Sequence, residues 1–223
     1  IQLATERLRH KYANGMDRSD METFDRLTNT IIQQVETMKE MVNSFTEFSQ
    51  SSTSNMQSVD LNTLVKEVLD LYINLNRNAS IETRFDDNLP MIRADISRLR
   101  QVFNNLLKNA FDACHNCSDF RLEISTQFVN EDREQYIEVR IKDSGSGIPK
   151  EIIDHMFDPY VTTKTKGSGL GLAIVKKIVE EHKGLVWLEN NRGEPGACAV
   201  IRFPGEIMEE SRDIQQDEER KAV

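Results

Sequence analysis

The sequence predicts an α+β fold, a mixed and mostly antiparallel sheet with helices on one face and the other face open. Two observations predict it. Long segments carry apolar residues at steps of three or four, as amphipathic helices do, and short segments between them alternate apolar with polar, as half-buried strands do. Arg121–Phe128 and Gln135–Asp143 look like a pair of such strands, and further strands are expected near Leu185–Glu189 and Cys198–Phe203.

Residues 1–50 read as two helices. The first runs from Ile1 to about Ala13 and stops near Asn14-Gly15. The second opens on Ser19-Asp-Met-Glu22, a capping box, and lines up Phe24, Leu27, Ile31, Val35, Met38, Val42, Phe45 and Phe48 in one stripe. A hairpin with such a stripe and no core of its own predicts a seam, met by a second copy in a homodimeric four-helix bundle, the alternative being that the helices pack on the same domain. Ser49–Ser58, with five serines and two glutamines, reads as a linker. Asp60 then caps a helix to about Asn76 with Leu61, Leu64, Val65, Val68, Leu71 and Leu75 inward. Ile81, Thr83 and Phe85 alternate as a strand, and Asp95 caps a helix to Ala113 whose core stripe is Leu99, Val102, Phe103, Leu106 and Ala110. On the later strand, Ile137, Val139 and Ile141 share a face. A short helix is expected near Lys150–Met156 and a longer one from about Leu170 to His182. Glu206–Val223 is acidic, poor in apolar residues, and reads as disordered.

The composition narrows the function. A net charge of −9 argues against broad nucleic-acid binding, and no apolar run approaches the ~20 residues of a membrane helix. No signal peptide opens the chain, and Ile1 as first residue reads as the start of a fragment. Three cysteines cannot all pair internally, which favours a reducing cytoplasm. Cys114-x-x-Cys117 falls at a helix C-terminus, where the dipole opposes a thiolate, and His115 and distant Cys198 do not complete a zinc site; an ordinary loop is expected.

Four segments carry chemistry. Asn105 and Asn109 stand one turn apart on a face separate from the core stripe; their amide oxygens suit a hydrated magnesium ion, or else cap nearby backbone. Asp143 ends a strand and enters Gly145-Ser-Gly147-Ile-Pro149, where a carboxylate can accept from an exocyclic amine and glycines admit a ring; a plain turn has the same pattern. Gly167-Ser-Gly169-Leu170-Gly171 enters a helix N-terminus, whose free amides favour phosphate. The spacing matches neither a P-loop nor a dinucleotide fingerprint. Between the glycine turns, Lys164 and Lys166 lie on a polar stretch that is either a solvated loop or a mobile lid.

In this order, Asn105-Leu-Leu-Lys-Asn109, Asp143-x-Gly-x-Gly147, Phe157-Asp-Pro-Tyr160 with Lys164, and Gly167-x-Gly-Leu-Gly171 resemble the N, G1, F and G2 boxes of sensor histidine kinases across residues 60–204. The run from Ile1 to Tyr12 is similar to nitrogen-regulation kinases of the NtrY type. The resemblance implies a Bergerat-type α/β sandwich, shared with gyrase, mismatch-repair and heat-shock ATPases, with ATP and Mg2+ as cofactors. By it, Asn109 would hold magnesium with support from Asn105, and Asp143 would bind the adenine amine in a pocket shaped by Gly145 and Gly147. Lys164 would approach the terminal phosphates, amides near Gly169, Leu170 and Gly171 would cradle them, and Phe157 and Tyr160 would anchor the lid. Residues 1–49 would be the dimerisation and phosphotransfer hairpin, 50–59 a linker, 60–204 the ATP-binding domain and 205–223 an acidic tail. The implied activity is transfer of the γ-phosphoryl to a histidine and then to an aspartate of a response regulator; the rivals are a clamp-type ATPase of the same fold, with Glu67 as its candidate catalytic carboxylate, and a non-catalytic nucleotide-sensing dimerisation module. Implied partners are a second copy and that receiver domain, with no nucleic acid and no membrane contact by this segment, in the cytoplasm, beneath an inner-membrane parent. One departure stands out. The family's His-Glu-x-x-Asn-Pro is missing, His10, His115, His155 and His182 lack its context, and the acceptor is expected upstream of Ile1.

Overall fold

The computed structural model describes residues 18–49, 55–73, 79–114, 119–131, 134–164 and 167–205, together with Thr5. In chain order the elements are α1 (Arg18–Ser49), β1 (Gln57–Val59), α2 (Leu61–Ile73), β2 (Ser80–Arg84), β3 (Ile92–Ala94), α3 (Ile96–Asp112), β4 (Arg121–Glu131), β5 (Glu134–Asp143), α4 (Gly171–Glu181), β6 (Leu185–Asn190) and β7 (Ala197–Pro204). The expected first hairpin helix apart from Thr5, residues 50–54 of the serine linker and the acidic tail from residue 206 lie outside the described residues, as do Leu75 and Lys166.

Five strands hydrogen-bond in the order β2-β4-β5-β7-β6, with β2 parallel to β4 and the remaining pairs antiparallel. The expected α+β architecture is therefore the observed one. The β4–β5 ladder runs from Glu131↔Glu134 to Leu122↔Asp143, so Asp143 stands at its last rung. Ile124, Ile137, Val139, Ile141, Ile201 and Phe203 from the sheet meet Leu64, Val68, Leu99, Phe103, Val175 and Ile178 from α2, α3 and α4 in one core. Each such side chain contributes about 1.5–3 kcal/mol by leaving water.

The face away from the helices is roofed by side chains instead of standing open. Glu138 on that face is only 1% exposed. It accepts from Arg202 Nε at 2.7 Å, Gln127 Nε2 at 2.9 Å and Arg140 Nη1 at 3.4 Å. The Arg202 guanidinium also lies over the rings of Tyr136 and Trp187.

Four expectations change. Residues 150–156 form no helix, because the bonds recur only every third residue, Ile152 N–H to Pro149 O, His155 N–H to Ile152 O and Asp158 N–H to His155 O, giving linked turns. Leu71 is 57% exposed; the buried face of α2 is made by Leu61, Leu64, Val65, Val68 and Leu69, and Leu71 lies about 90° round the helix from the middle of that face. Gln57 and Ser58, read as linker, pair with Ala94 and Arg93 in a two-stranded β1–β3 sheet too short for a periodicity to reveal. Cys114 is disulfide-bonded, not a reduced loop thiol, while Cys198 is free and buried. Among the described residues no helix is long and apolar enough to cross a membrane.

Candidate functional site

A cavity of about 820 Å3 opens between α3, the end of β5, the segment before α4 and the first turn of α4. Asn105, Asn109, Asp143, Gly147, Lys164, Gly167, Gly169 and Gly171 line it, whereas Gly145 and Leu170 stand behind its wall. Its volume suits a nucleotide-sized ligand.

At one end, Asp143 is buried at the last rung of β5. Burial pushes its carboxyl above the usual carboxylate range, although the Gly145 and Ala197 amides pull the other way. Both amides reach Oδ1, at 2.8 and 3.4 Å, and Oδ2 accepts from no group among the described residues. Gly145 is needed because a Cβ there would fall 2.7 Å from the Ala113 Cβ, so its hydrogen atom lets the turn close on the end of α3. Gly147 has φ +74°, and Asn190 at the end of β6 clamps the next residue from both sides, accepting Ile148 N–H at 2.7 Å and donating to Ile148 O at 2.8 Å. Asn191 donates to the Asp143 carbonyl at 2.8 Å. Ile141, Leu106, Ala110, Ile152 and Met156 give this end apolar walls suited to a flat ring.

At the other end, α4 begins without a side-chain cap, and among the described residues nothing takes up the first-turn N–H groups beside the cavity. Leu170 N–H is engaged by Ser168 Oγ at 3.3 Å. Gly169 has φ +67° and a Cβ would fall 2.5 Å from the Tyr160 carbonyl carbon, so only glycine closes this turn. A Cβ at Gly171 would lie 3.6 Å from Asn105 Oδ1, which sets Asn105 of α3 directly against the start of α4. Lys164 Nζ reaches across to Asn109 Oδ1 and Asp112 Oδ2, each at 2.8 Å.

Sequence reasoning missed Asn190, Asn191 and Asp112. The first two sit together where a strand ends, a visible turn signal. Asp112 lies three residues after Asn109 and so on the same helix face.

Residues 94–207, 114 of the 223, match the family described as histidine kinase-, DNA gyrase B-, and HSP90-like ATPase. The chain belongs to this family. Within it, the nucleotide-free catalytic domain of histidine kinase ThkA superposes with a TM-score of 0.59 at 32% identity, covering 68% of this chain and 96% of that one. ThkA in complex with the response regulator TrrA gives a TM-score of 0.67 at 25% identity, covering 92% and 58%. Nitrogen regulation protein NtrY of Azorhizobium caulinodans is 36% identical over 211 residues, 91% of this chain and 26% of that protein. Sensor histidine kinase ZraS of Escherichia coli is 33% identical over 184 residues, 82% of this chain and 38% of that protein. The chain thus carries the ATPase domain of an NtrY-like sensor histidine kinase and spans about a quarter to two fifths of these two curated relatives.

Proposed function

We propose that this chain binds Mg-ATP in the 820 Å3 cavity and, within its parent protein, delivers the γ-phosphoryl to a histidine and onward to a response-regulator aspartate. One observation carries the proposal: a carboxylate at a strand end, two glycine turns, the uncapped start of a helix, and a pair of helix-borne amides border the same hollow. The Asp143 Oδ2 accepts the adenine amine, and the amides of Gly169 and Gly171 face the phosphates. Magnesium fits the other end, because Asn109 Oδ1 already holds the Lys164 ammonium and is therefore a cation-binding oxygen. Asn109 would hold the ion and Asn105 would steady its phosphate side; when bound, the ion neutralises charge on the phosphate oxygens. Lys164, displaced from Asn109, turns to the terminal phosphates.

A clamp-type ATPase would need a general base beside the metal. Glu67, the carboxylate considered for that role, pairs with Arg100 at 2.7 Å and does not line the cavity. The kinase reading is therefore preferred. The four histidines lack the acceptor context, so the chain by itself takes no phosphate. Along α1, Leu27, Met38, Val42 and Phe45 are exposed, which supports burial of that stripe in a homodimer. A receiver domain is the second partner, and both partnerships belong to the cytoplasm.

Titration calorimetry with Mg-ATP tests the proposal. The native chain is expected to bind, and Asn109→Asp and Asp143→Ala each to weaken binding by about tenfold or more. Absence of binding by the native chain overturns it, and acid-labile phosphate on the isolated chain overturns the missing acceptor.

A further inference from the structure

We propose that His182 is a positioning residue for this nucleotide site: its imidazole fixes how far α3 is slid along α4, and so holds Asn105 and Asn109 opposite the glycine-rich start of α4. The proposal rests on the Mg-ATP reading above.

The ring is 8% exposed and each nitrogen has one partner. Nε2 accepts the backbone N–H of Asp95, the N-cap of α3, at 3.0 Å. Nδ1 donates to the Ile178 carbonyl within α4 at 2.7 Å. A backbone N–H only donates and a carbonyl only accepts, so one neutral tautomer satisfies both bonds. The two helices lie antiparallel. Asp95 at the start of α3 meets His182 at the end of α4, and Asn105 further along α3 meets Gly171 at the start of α4. Ten residues of helix separate Asp95 from Asn105, about 15 Å. A helix hardly compresses along its axis, so a slip at the His182 end appears undiminished at the amide pair.

Both anchors of the ring are themselves held. Asp95 Oδ1 accepts from Ser97 and Arg98 N–H and Oδ2 from Asn55 N–H. The end of α4 closes with Lys183 N–H to Glu180 O at 2.9 Å and Gly184 N–H to Val179 O at 2.8 Å, and Lys183 takes φ +57°. Phe203 meets the imidazole edge-on from the sheet. The Arg98–Glu181 ion pair crosses at the same level, but its longer side chains tolerate a shift that the short N–H···N bond does not.

The test measures affinity for Mg-ATP and for metal-free ADP by calorimetry in the native chain, His182→Phe, His182→Gln and His182→Asn. Metal-free ADP does not call on Asn109 as the holder of an ion and meets α3 only through the apolar wall of Leu106 and Ala110, so it depends less on the register of α3 and α4 than Mg-ATP does. His182→Phe is expected to weaken Mg-ATP about fivefold to tenfold and leave ADP within about twofold. His182→Gln places an oxygen near Nε2, restores the acceptor for Asp95, and returns Mg-ATP binding to within about threefold of native. Equal losses for both ligands, or no loss, overturn the positioning role. If His182→Phe does not fold, His182→Asn, which reaches Ile178 but not Asp95, must show the selective loss that His182→Gln lacks, and equal affinities of the two overturn the proposal. A native chain that binds neither nucleotide instead sinks the site reading itself, and this role with it.

Discussion

Asp143→Asn exchanges one cavity-facing oxygen for nitrogen at nearly constant shape. The remaining oxygen must stay where Gly145 N–H, 2.8 Å from Oδ1, and Ala197 N–H donate to it, so the new amide turns its NH2 toward the cavity. There it meets another donor, the exocyclic amine. The variant loses a hydrogen bond to a charged group, about 1.5–3 kcal/mol, and leaves a buried donor unpaired, about 1–3 kcal/mol. Together these amount to a loss of about two to four orders of magnitude in Mg-ATP affinity by calorimetry. Stability moves the opposite way. Burial raises the Asp143 carboxyl, so its favourable contribution exists below the unfolded-state pKa and is lost as pH rises through the folded one. At neutral pH the native protein carries a buried charge that the variant lacks. Its melting temperature should therefore exceed native at pH 7, and the gap should close in acid. A variant that binds as tightly as native, or that melts lower at pH 7, refutes the reasoning.

Three further outcomes follow from the same geometry. Gly196→Ala places a Cβ 1.9 Å from the Asp143 carbonyl oxygen at φ +104°, so urea denaturation should show a loss of about 2 kcal/mol or more and nucleotide binding should fall with it. Lys183→Gly relieves a left-handed residue at the end of α4 and should stabilise by about 0.5–1 kcal/mol in the same assay. Burial raises Asp95, but the amides of Asn55, Arg98 and Ser97 outweigh it and hold the carboxyl below its usual range. Its stabilising contribution is present above the unfolded-state pKa and lost as pH falls through the lower folded one, so Asp95→Ala should cost about 1–2 kcal/mol at pH 7 and progressively less in acid.

Long periodic elements were legible in the sequence because burial imposes their spacing. α3 is an example: its Asp95 cap and the stripe Leu99, Val102, Phe103, Leu106 and Ala110 fall where expected. The glycines were legible for a related reason, since a positive φ or a close approach leaves few other residues possible, as at Gly147 and Gly169. Linked turns at 150–158 were not, because their composition matches a short helix and only the bond spacing separates the two. The Asn190 clamp and the Lys164–Asp112 pair were also hidden, since each joins residues 42 or more positions apart that share no local pattern. Glu138 alternates with the core-facing Ile137 and Val139, and its burial depends on side chains from neighbouring strands, Arg202 and Gln127, that no local pattern connects to it.

The two ends of the cavity are built to different tolerances. Asp143 ends a strand stitched to β4 on one side and flanked by β7 on the other, whereas Lys164 belongs to a stretch with no ladder neighbour. The first is a fixed template whose selectivity is set before any ligand arrives. The second is tethered by two exchangeable contacts, so under the proposed Mg-ATP reading it would follow a shortening phosphate chain from triphosphate to diphosphate while the base stays seated.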